Sequence, residues 1–482
     1  MVELKRVSNH IWEIPVDTRA DMNVPVHIYS SERLLKDLDQ GVIEQGMNVA
    51  TLPGLVKKVS VMPDGHWGYG FPIGGVAAMD VDEGVISPGG IGFDINCGMR
   101  LIRTNLTYED VKPKLKELVD ELFKAVPTGV GTKGIHPLKD REFDEVMKYG
   151  IDWVIENDLG WKEDKQFMEE QGVIKGAKPE LISQKARSRG RNQLGTLGSG
   201  NHFLEIQVAQ PENIHDKETA KAFGVDIDNQ VVIMIHCGSR GFGHQVASEH
   251  LRVFLEAMPR YGIKILDKEL AAAPIKSREG EEYFASMAAA ANMAFANRAI
   301  IMHETRKVFS KVFGQDPEDL GMRLTYDVCH NIAKFEEHVV DDEKREVLVH
   351  RKGATRAFGP HHPDLADAYK PYGQPVIIGG SMETGSYILA GTEASMHEAF
   401  GSSAHGSGRT MSRSKAKKQI TGQELYEQML EKGIYVRGAS WKGLAEEAGF
   451  AYKNLSEVVM ACEGGNLARP IVQLRPIGNI KG

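Results

Sequence analysis

The chain is expected to fold as an α+β protein, with mixed or antiparallel sheets surrounded by helices. Two observations predict this fold class. Apolar runs at 231–235 and 376–378 are typical of buried strands, and each run soon meets glycine. Between such runs lie segments with helical spacing of apolar residues and with helix-capping signals. Strands and helices therefore alternate along the chain, although the strand order cannot be derived from this pattern.

Composition supports one large unit. The chain has 482 residues, 41% of them hydrophobic, and we find no long linker, low-complexity tract or internal repeat. We therefore expect a single domain over residues 1–482, with a helical insertion at about 245–318. No apolar run approaches the roughly 18–20 residues that span a bilayer. The absence of a signal-peptide pattern and the four cysteines, too few for a disulfide framework, predict a cytoplasmic protein without membrane contact.

The first half of the chain gives several local predictions. Residues 1–60 are expected to form short strands and one helix that begins near Ser31. The glycine-punctuated loop 62–75 carries Asp64 and His66, although a Pro-Asp-Gly turn alone would explain these residues. Thr107, with Asp110 three residues on, has the spacing of a capping box and predicts a core-facing helix. Residues 130–180 are expected to form short helices in a surface insertion.

A glycine-dense loop at 87–98 holds a carboxylate, Asp94, and a thiol, Cys97, three residues apart. Glycines allow the backbone to approach a ligand closely, so these two side chains can converge on one point. We interpret the loop as half of a metal site. The compact spacing of a zinc finger is absent.

Three histidines supply the remaining donors of the predicted site. His202 lies in a second glycine loop, His236 ends the buried strand 230–236, and His330 follows another apolar stretch. Taken alone, His236 could also be a structural histidine of the core. Together with the 87–98 loop they offer oxygen, thiolate and imidazole donors, enough for two divalent ions that share the thiolate. Ligand type alone is compatible with Mn²⁺, Zn²⁺, Co²⁺ and Fe²⁺.

The net charge of −8 gives no overall attraction for nucleic acid, so any such binding must come from local basic segments. Cations are concentrated at 185–191, 351–356 and 409–418, although a charge run is commonly a solvated surface. His405 lies among small residues just before the third segment, which gives a bulky electrophile open access to its ring; an ordinary loop histidine is the alternative. These features predict a metal-dependent enzyme that acts on phosphates.

Five segments resemble motifs of the RtcB RNA ligase family, in the same order: 92–98, 198–205, 236–241, 350–356 and 405–409. The resemblance covers essentially the whole chain and implies an RtcB-like fold. It further implies a ligase for tRNA splicing and RNA repair that joins 2′,3′-cyclic phosphate or 3′-phosphate ends to 5′-hydroxyl ends. Such enzymes use GTP and Mn²⁺ and pass through a guanylylated histidine. The small protein archease is an implied helper.

Residue by residue, the resemblance assigns His405 as the nucleophile that takes GMP. It assigns the manganese ligands to Asp94, Cys97, His202, His236 and His330. It assigns the nucleotide contacts to Asn201, His202, Phe203, Leu204, Glu205, His330, Asn331, Gly379, Gly380, Ser381, Met382, Ser386, Gly406, Ser407, Gly408, Tyr452 and Lys481. Ser407 stands where many relatives have alanine, and its small hydroxyl is expected to be tolerated.

Two other classes of protein use part of the same residues. A metal-dependent phosphoesterase or nuclease would need the metal ligands but no GTP, and a non-catalytic RNA-binding subunit would need only the basic segments. If the chain is a ligase, RNA is expected on the three basic segments. Neutralising Arg187, Arg189 or Arg413 should then weaken RNA binding and spare guanylylation.

Overall fold

The structure, a computed structural model, describes residues 2–482. Its strands are β1 Lys5–Arg6, β2 Ile11–Ile14, β3 Val26–Tyr29, β4 Leu55–His66, β5 Ile73–Asp80, β6 Val85–Ile86, β7 Gly98–Thr107, β8 Phe203–Ile214, β9 Gln230–Cys237, β10 Ala273–Pro274, β11 Arg323–Cys329, β12 Asn331–Val340, β13 Glu343–Lys352, β14 Ala354–Arg356, β15 Pro375–Gly379, β16 Ser386–Gly391, β17 Ser402–Ala404, β18 Tyr435–Gly438 and β19 Ala468–Lys481. Its helices are α1 Glu32–Lys36, α2 Gln40–Val49, α3 Tyr108–Val111, α4 Leu115–Ala125, α5 Asp140–Tyr149, α6 Ile151–Glu156, α7 Gln184–Gly190, α8 Lys217–Ala222, α9 Arg240–Tyr261, α10 Arg278–Phe313, α11 Glu393–Ala399, α12 Arg413–Ala416, α13 Gly422–Glu431, α14 Trp441–Glu446 and α15 Leu455–Gly464.

Two large sheets confirm the α+β prediction. The first has seven strands in the order β1-β2-β3-β4-β5-β13-β12, all antiparallel neighbours except β3 and β4. The second has eight strands, with the order β11-β7-β9-β8-β19-β16-β15, and β18 pairs in parallel with β19. The long final strand β19 lies between β8 and β16, so the end of the described chain joins strands from its middle.

Helix α10 lies in the largest hydrophobic core and is buried along most of its length. It packs against α4, α5, α6, α9 and strand β9. The short helices predicted within residues 130–180 are present as α5 and α6. They are not a surface insertion, because Phe143, Val146 and Trp153 are buried against this core.

Capping boxes open two helices, the first of them at the predicted Thr107. Thr107 and Asp110 bond reciprocally at the start of α3, and Thr421 and Glu424 do so at the start of α13. Ser31 caps helix α1. Across residues 2–482, the hydropathy of every helix falls short of what a bilayer-crossing segment requires.

Candidate active site

Four predicted metal ligands reach one edge of the eight-stranded sheet. Cys97 precedes β7 and His202 precedes β8, whereas His236 lies near the end of β9 and His330 follows the end of β11. Strands β11, β7, β9 and β8 are antiparallel neighbours, so strand starts and strand ends alternate along this edge. The strand register therefore explains why ligands far apart in sequence meet.

The donor atoms of the five predicted ligands form a continuous chain of short contacts. Sγ of Cys97 is 3.4 Å from Nε2 of His202 and 3.2 Å from Nε2 of His236. Nε2 of His236 is 3.1 Å from Nε2 of His330, and a carboxylate oxygen of Asp94 is 2.9 Å from Nε2 of His202. The thiol and the first two imidazoles also form a buried group able to hold a metal ion.

Backbone carbonyls orient two of these imidazoles. Nδ1 of His202 lies 3.1 Å from the carbonyl oxygen of Leu197, and Nδ1 of His236 lies 3.0 Å from that of Asn201. A ring that donates through Nδ1 presents the lone pair of Nε2 to a metal. Burial lowers the pKa of His236 and that of His330 well below the usual value, so both rings are neutral and ready to coordinate.

Two other members of the cluster, Cys97 and His202, carry protons when no cation is bound. Burial, reinforced by the Asp94 carboxylate, raises the pKa of the Cys97 thiol to about 12. Burial lowers the pKa of His202, but the thiols of Cys97 and Cys237 and the Asp94 carboxylate outweigh this effect and raise it well above the usual value. A divalent ion that binds here must displace these protons, which couples metal affinity to pH.

The buried carboxylate of Asp64 holds the ring of His405. The sequence alone leaves Asp64 open to a simpler interpretation, because a Pro-Asp-Gly turn would also explain it. Asp64, on β4, is fully buried, and its Oδ2 lies 2.5 Å from Nδ1 of His405. The same oxygen accepts hydrogen bonds of 3.2 Å from the backbone N–H groups of His405 and Gly406. Burial alone would raise the pKa of Asp64, but the neighbouring imidazoles of His405 and His66 and the Lys453 ammonium hold it below its usual value.

The metal-ligand edge and His405 share one cavity of about 860 Å³. The ring of His405 lies 5.0 Å from that of His330, centroid to centroid. The predicted nucleotide-contact residues that line this cavity are Asn201, Phe203, Glu205, His330, Asn331, Gly379, Gly380, Ser381, Met382, Gly406, Ser407, Gly408, Tyr452 and Lys481. Leu204 and Ser386 are buried and do not line it, and neither do Asp94 and His202.

One end of the cavity combines aromatic rings with a buried acid and a buried base. Lys481 ends β19 beside the start of β8, and its ammonium lies 5.3 Å from the ring centroid of Phe203. Glu205 accepts hydrogen bonds of 2.8 Å from the amides of Asn479 and Gln207. Burial raises the pKa of Glu205 to about 7.

Two buried polar residues of helix α10, Asn297 and Arg298, anchor the ligand loops, and the sequence motifs point to neither. Asn297 accepts from the backbone N–H groups of Gly195 and Thr196 and donates to the carbonyl of Gly238. Arg298 donates to the backbone carbonyls of Asn96 and Cys237. A signal is nevertheless present in the sequence, because a buried polar side chain on an alanine-rich helix must find partners.

The prediction that RNA lies on 351–356 is wrong. Arg351, Lys352 and Arg356 are 1%, 5% and 2% exposed, and the two arginines form ion pairs with Glu336 and Glu170. The two arginines therefore neutralise Glu336 and Glu170, and Lys352 is engaged by backbone carbonyls, so the segment presents no cationic surface to a nucleic acid.

The other two basic segments keep part of their charge on the surface. Arg187 is bonded to Asp144 and to backbone carbonyls, so it holds α7 in place. Arg189 is exposed on the same helix. The side chain of Arg413 is 44% exposed although it contacts Glu447.

A thiol–imidazole cluster beside a carboxylate-held histidine, all in one deep cavity, defines a candidate metal-dependent enzyme. Comparison with known proteins identifies the family. The model of the family "tRNA-splicing ligase RtcB" matches residues 45–482. The chain therefore belongs to the RtcB family, which confirms the resemblance in the motifs.

Curated relatives match over the full length. The tRNA-splicing ligase RtcB of Archaeoglobus fulgidus is 53% identical over 99% of both chains. That of Thermococcus kodakarensis is 52% identical over 100% of this chain and 99% of its own. RNA-splicing ligase RtcB homolog 1 of Entamoeba histolytica is 51% identical over 91% of this chain and 83% of its own.

Proposed function

We propose that the chain is a cytoplasmic RNA ligase for tRNA splicing and RNA repair that uses GTP and two Mn²⁺ ions. It joins 2′,3′-cyclic phosphate or 3′-phosphate ends to 5′-hydroxyl ends, with archease as an activator. The observation that carries the proposal is the Asp64–His405 pair in the cavity of the metal-ligand cluster. A phosphoesterase would use such a histidine only as a general acid or base and would form no covalent bond to GMP.

The pair explains how an imidazole becomes the nucleophile. The Nδ1–H group of His405 donates a hydrogen bond to the Asp64 carboxylate, so Nε2 carries the lone pair. Nε2 attacks the α-phosphorus of GTP; the P–N bond forms as the P–O bond to pyrophosphate breaks. The ring becomes positively charged in this step, and the buried carboxylate stabilises that charge.

The donor set fits manganese. Asp94, Cys97, His202, His236 and His330 would hold two ions, with Cys97 shared between them. The carboxylate suits Mn²⁺, whereas the imidazoles and the thiol also admit Zn²⁺, Co²⁺ and Fe²⁺, so the choice of Mn²⁺ among these ions follows the family. Bound there, the ions would offset negative charge on the phosphates that are being transferred.

The carboxyl group of Glu205 and the ammonium group of Lys481, at one end of the cavity, support guanine as the nucleobase of the bound nucleotide. Guanine presents N–H donors on N1 and N2 and an acceptor at O6, and adenine reverses this order. Glu205 supplies the acceptor and Lys481 the donor, and Phe203 and Tyr452 offer aromatic faces. Within residues 2–482 the buried Glu205 carboxylate forms no ion pair shorter than 4 Å. N–H donors on the nucleobase would add to the two amide hydrogen bonds that this carboxylate accepts.

The remaining steps move GMP from His405 to the RNA 3′-phosphate, after which the 5′-hydroxyl displaces GMP and closes the phosphodiester. The second displacement makes no use of His405, so the two activities can be measured separately.

Incubation with Mn²⁺ and α-labelled GTP tests the proposal. Label should stay on the denatured protein, fail to appear with labelled ATP, and disappear in His405→Ala. If the wild-type protein retains no label but hydrolyses RNA ends, the chain is a metal-dependent phosphoesterase or nuclease and the ligase proposal is refuted.

A further inference from the structure

Two large aromatic side chains stand exposed at the cavity mouth. Trp67 is 66% exposed and Tyr69 is 40% exposed, and both line the same cavity as His405. They belong to the loop between β4, which carries Asp64, and β5. Exposed aromatic rings are expensive to leave in water, and a ligand that covers them gains free energy.

The loop that carries these rings is fixed from behind. Gln45 bonds to both the N–H and the carbonyl of Gly68, at 3.1 and 2.8 Å. Glu269 accepts from the N–H of Gly70 at 2.8 Å, and the buried Lys352 donates to the carbonyl of Tyr69. Three side chains thus hold the backbone while the two aromatic rings are left open, which makes a rigid surface rather than a mobile flap.

The chemistry around the rings favours a base over a phosphate. The indole of Trp67 lies over the start of α2, close to Gly41. The carboxylates of Asp37 and Asp39, which repel phosphate, line this part of the cavity, and the ammonium group of Lys352 is engaged by two backbone carbonyls of the loop. Aromatic rings beside carboxylates suit the uncharged face of a nucleobase, and stacking of this kind tolerates every base.

The position next to the metal ligands indicates which RNA end is bound. Tyr69 meets Phe93 edge to face, with ring centroids 5.0 Å apart, and Phe93 precedes the candidate metal ligand Asp94. A 3′-terminal phosphate that reaches the ions and His405 brings its own nucleoside to this place. The cavity-lining cation Arg413 lies elsewhere, against Gly200, where it suits the phosphodiesters of the other strand.

We propose that Trp67 and Tyr69 form a stacking platform for the bases next to the 3′-phosphate of the RNA. The inference rests on the proposed ligase function and adds a subsite to it. Because stacking tolerates every base, the platform would let one enzyme accept 3′ ends of any sequence.

Trp67→Ala and Tyr69→Ala test the platform, with Trp441→Ala as the matched control. Trp441 is 57% exposed and does not line the cavity. For the two platform variants we expect KM for a 3′-phosphorylated RNA to rise about 5- to 150-fold, from a stacking contribution of about 1–3 kcal/mol per base. Labelling of the protein by GTP alone should stay at the wild-type level, as should every step in the control.

RNA with an abasic 3′-terminal nucleotide separates stacking from a general disturbance of the loop. Wild type should lose affinity for the abasic RNA, and Trp67→Ala should lose nothing further. Binding without GTP gives a second readout: the 3′-phosphorylated RNA should quench tryptophan fluorescence in wild type and much less in Trp67→Phe.

Three results would overturn the platform: variants with KM within twofold of wild type, equal losses for normal and abasic RNA in the variants, or losses confined to the 5′-hydroxyl strand. Wild-type protein that takes no label refutes the ligase function and the platform together. Labelled wild type with unaffected variants refutes the platform alone.

Discussion

Asp64→Asn is expected to slow guanylylation of His405 about 10²–10⁴-fold, which corresponds to about 3–5 kcal/mol in activation free energy. In the structure, one oxygen of Asp64 accepts a hydrogen bond of 2.5 Å from Nδ1 of His405 and two hydrogen bonds of 3.2 Å from backbone N–H groups. An asparagine can turn its NH₂ toward Nδ1, which moves the ring proton to Nε2 and blocks the nucleophile. It also removes the charge that stabilises the imidazolium, and an aspartate-to-asparagine change behind a histidine general base costs up to about 10⁴-fold.

The assay is the initial rate of protein labelling by α-labelled GTP at saturating Mn²⁺, with circular dichroism to confirm folding. Asp164→Asn is the matched control. Asp164 is 4% exposed and pairs with Arg306, so its replacement should lower Tm without changing the labelling rate of folded protein. RNA that already carries a 3′-linked GMP should be sealed normally by Asp64→Asn.

A labelling rate within fivefold of wild type would show that Asp64 does not set the tautomer of His405. Equal losses in labelling and in sealing of preactivated RNA would show that the carboxylate supports the cavity as a whole.

Three further outcomes are expected. Cys97→Ser should weaken Mn²⁺ binding at least about tenfold and remove the thiolate-to-metal absorption band of the Co²⁺-loaded protein, both measurable by titration. Burial raises the pKa of Glu205 to about 7 in the folded protein. The protonated carboxyl therefore contributes its full stability below the pKa of the unfolded chain, and this contribution is lost as the pH rises through about 7. Glu205→Gln should therefore gain up to about 3 kcal/mol relative to wild type in unfolding free energy at pH 8, but little at pH 4. Arg189→Gln should lower the salt dependence of RNA binding by about one unit of slope and spare labelling by GTP, whereas Arg187→Gln should lower Tm because its guanidinium bridges Asp144 and the backbone.

Each of these outcomes has a result that would contradict it. An unchanged cobalt spectrum in Cys97→Ser would exclude the thiol as a ligand. A stability difference for Glu205→Gln that is the same at pH 4 and pH 8 would exclude the buried ionisation. Loss of GTP labelling in Arg189→Gln would place this arginine in the nucleotide step.

Sequence patterns predict the candidate site well where a glycine-rich loop or the end of an apolar strand carries a side chain that can bind a metal. Asp94 and Cys97 stand in a loop whose glycines are unusual, and His236 ends an apolar strand, so the residue pattern alone selects them. The fold then brings them together. That Cys97 meets His330 at the same edge follows from strand register, which depends on pairing between distant segments and cannot be derived from one chain position.

Burial explains why the sequence patterns mislead about Arg351 and Arg356 and do not select Asp64. Arg351 and Arg356 have the composition of a basic surface, but their charges are matched by Glu336 on the neighbouring strand β12 and by Glu170 from a distant segment. Asp64 sits in a sequence that a turn would explain equally well, and only the contact with a histidine 341 positions later gives it a task. Pairings across such separations leave no local pattern.

Helix α10 also bears on how the protein reaches its active form. The loops that carry Cys97, His202 and His236 emerge from the ribosome before Asn297 and Arg298, the residues that fix them. Contacts over such sequence separations close slowly, because the chain must first lose a large amount of conformational entropy. The loops that carry these three predicted ligands therefore reach their final positions only after helix α10 docks, late in the folding of the chain.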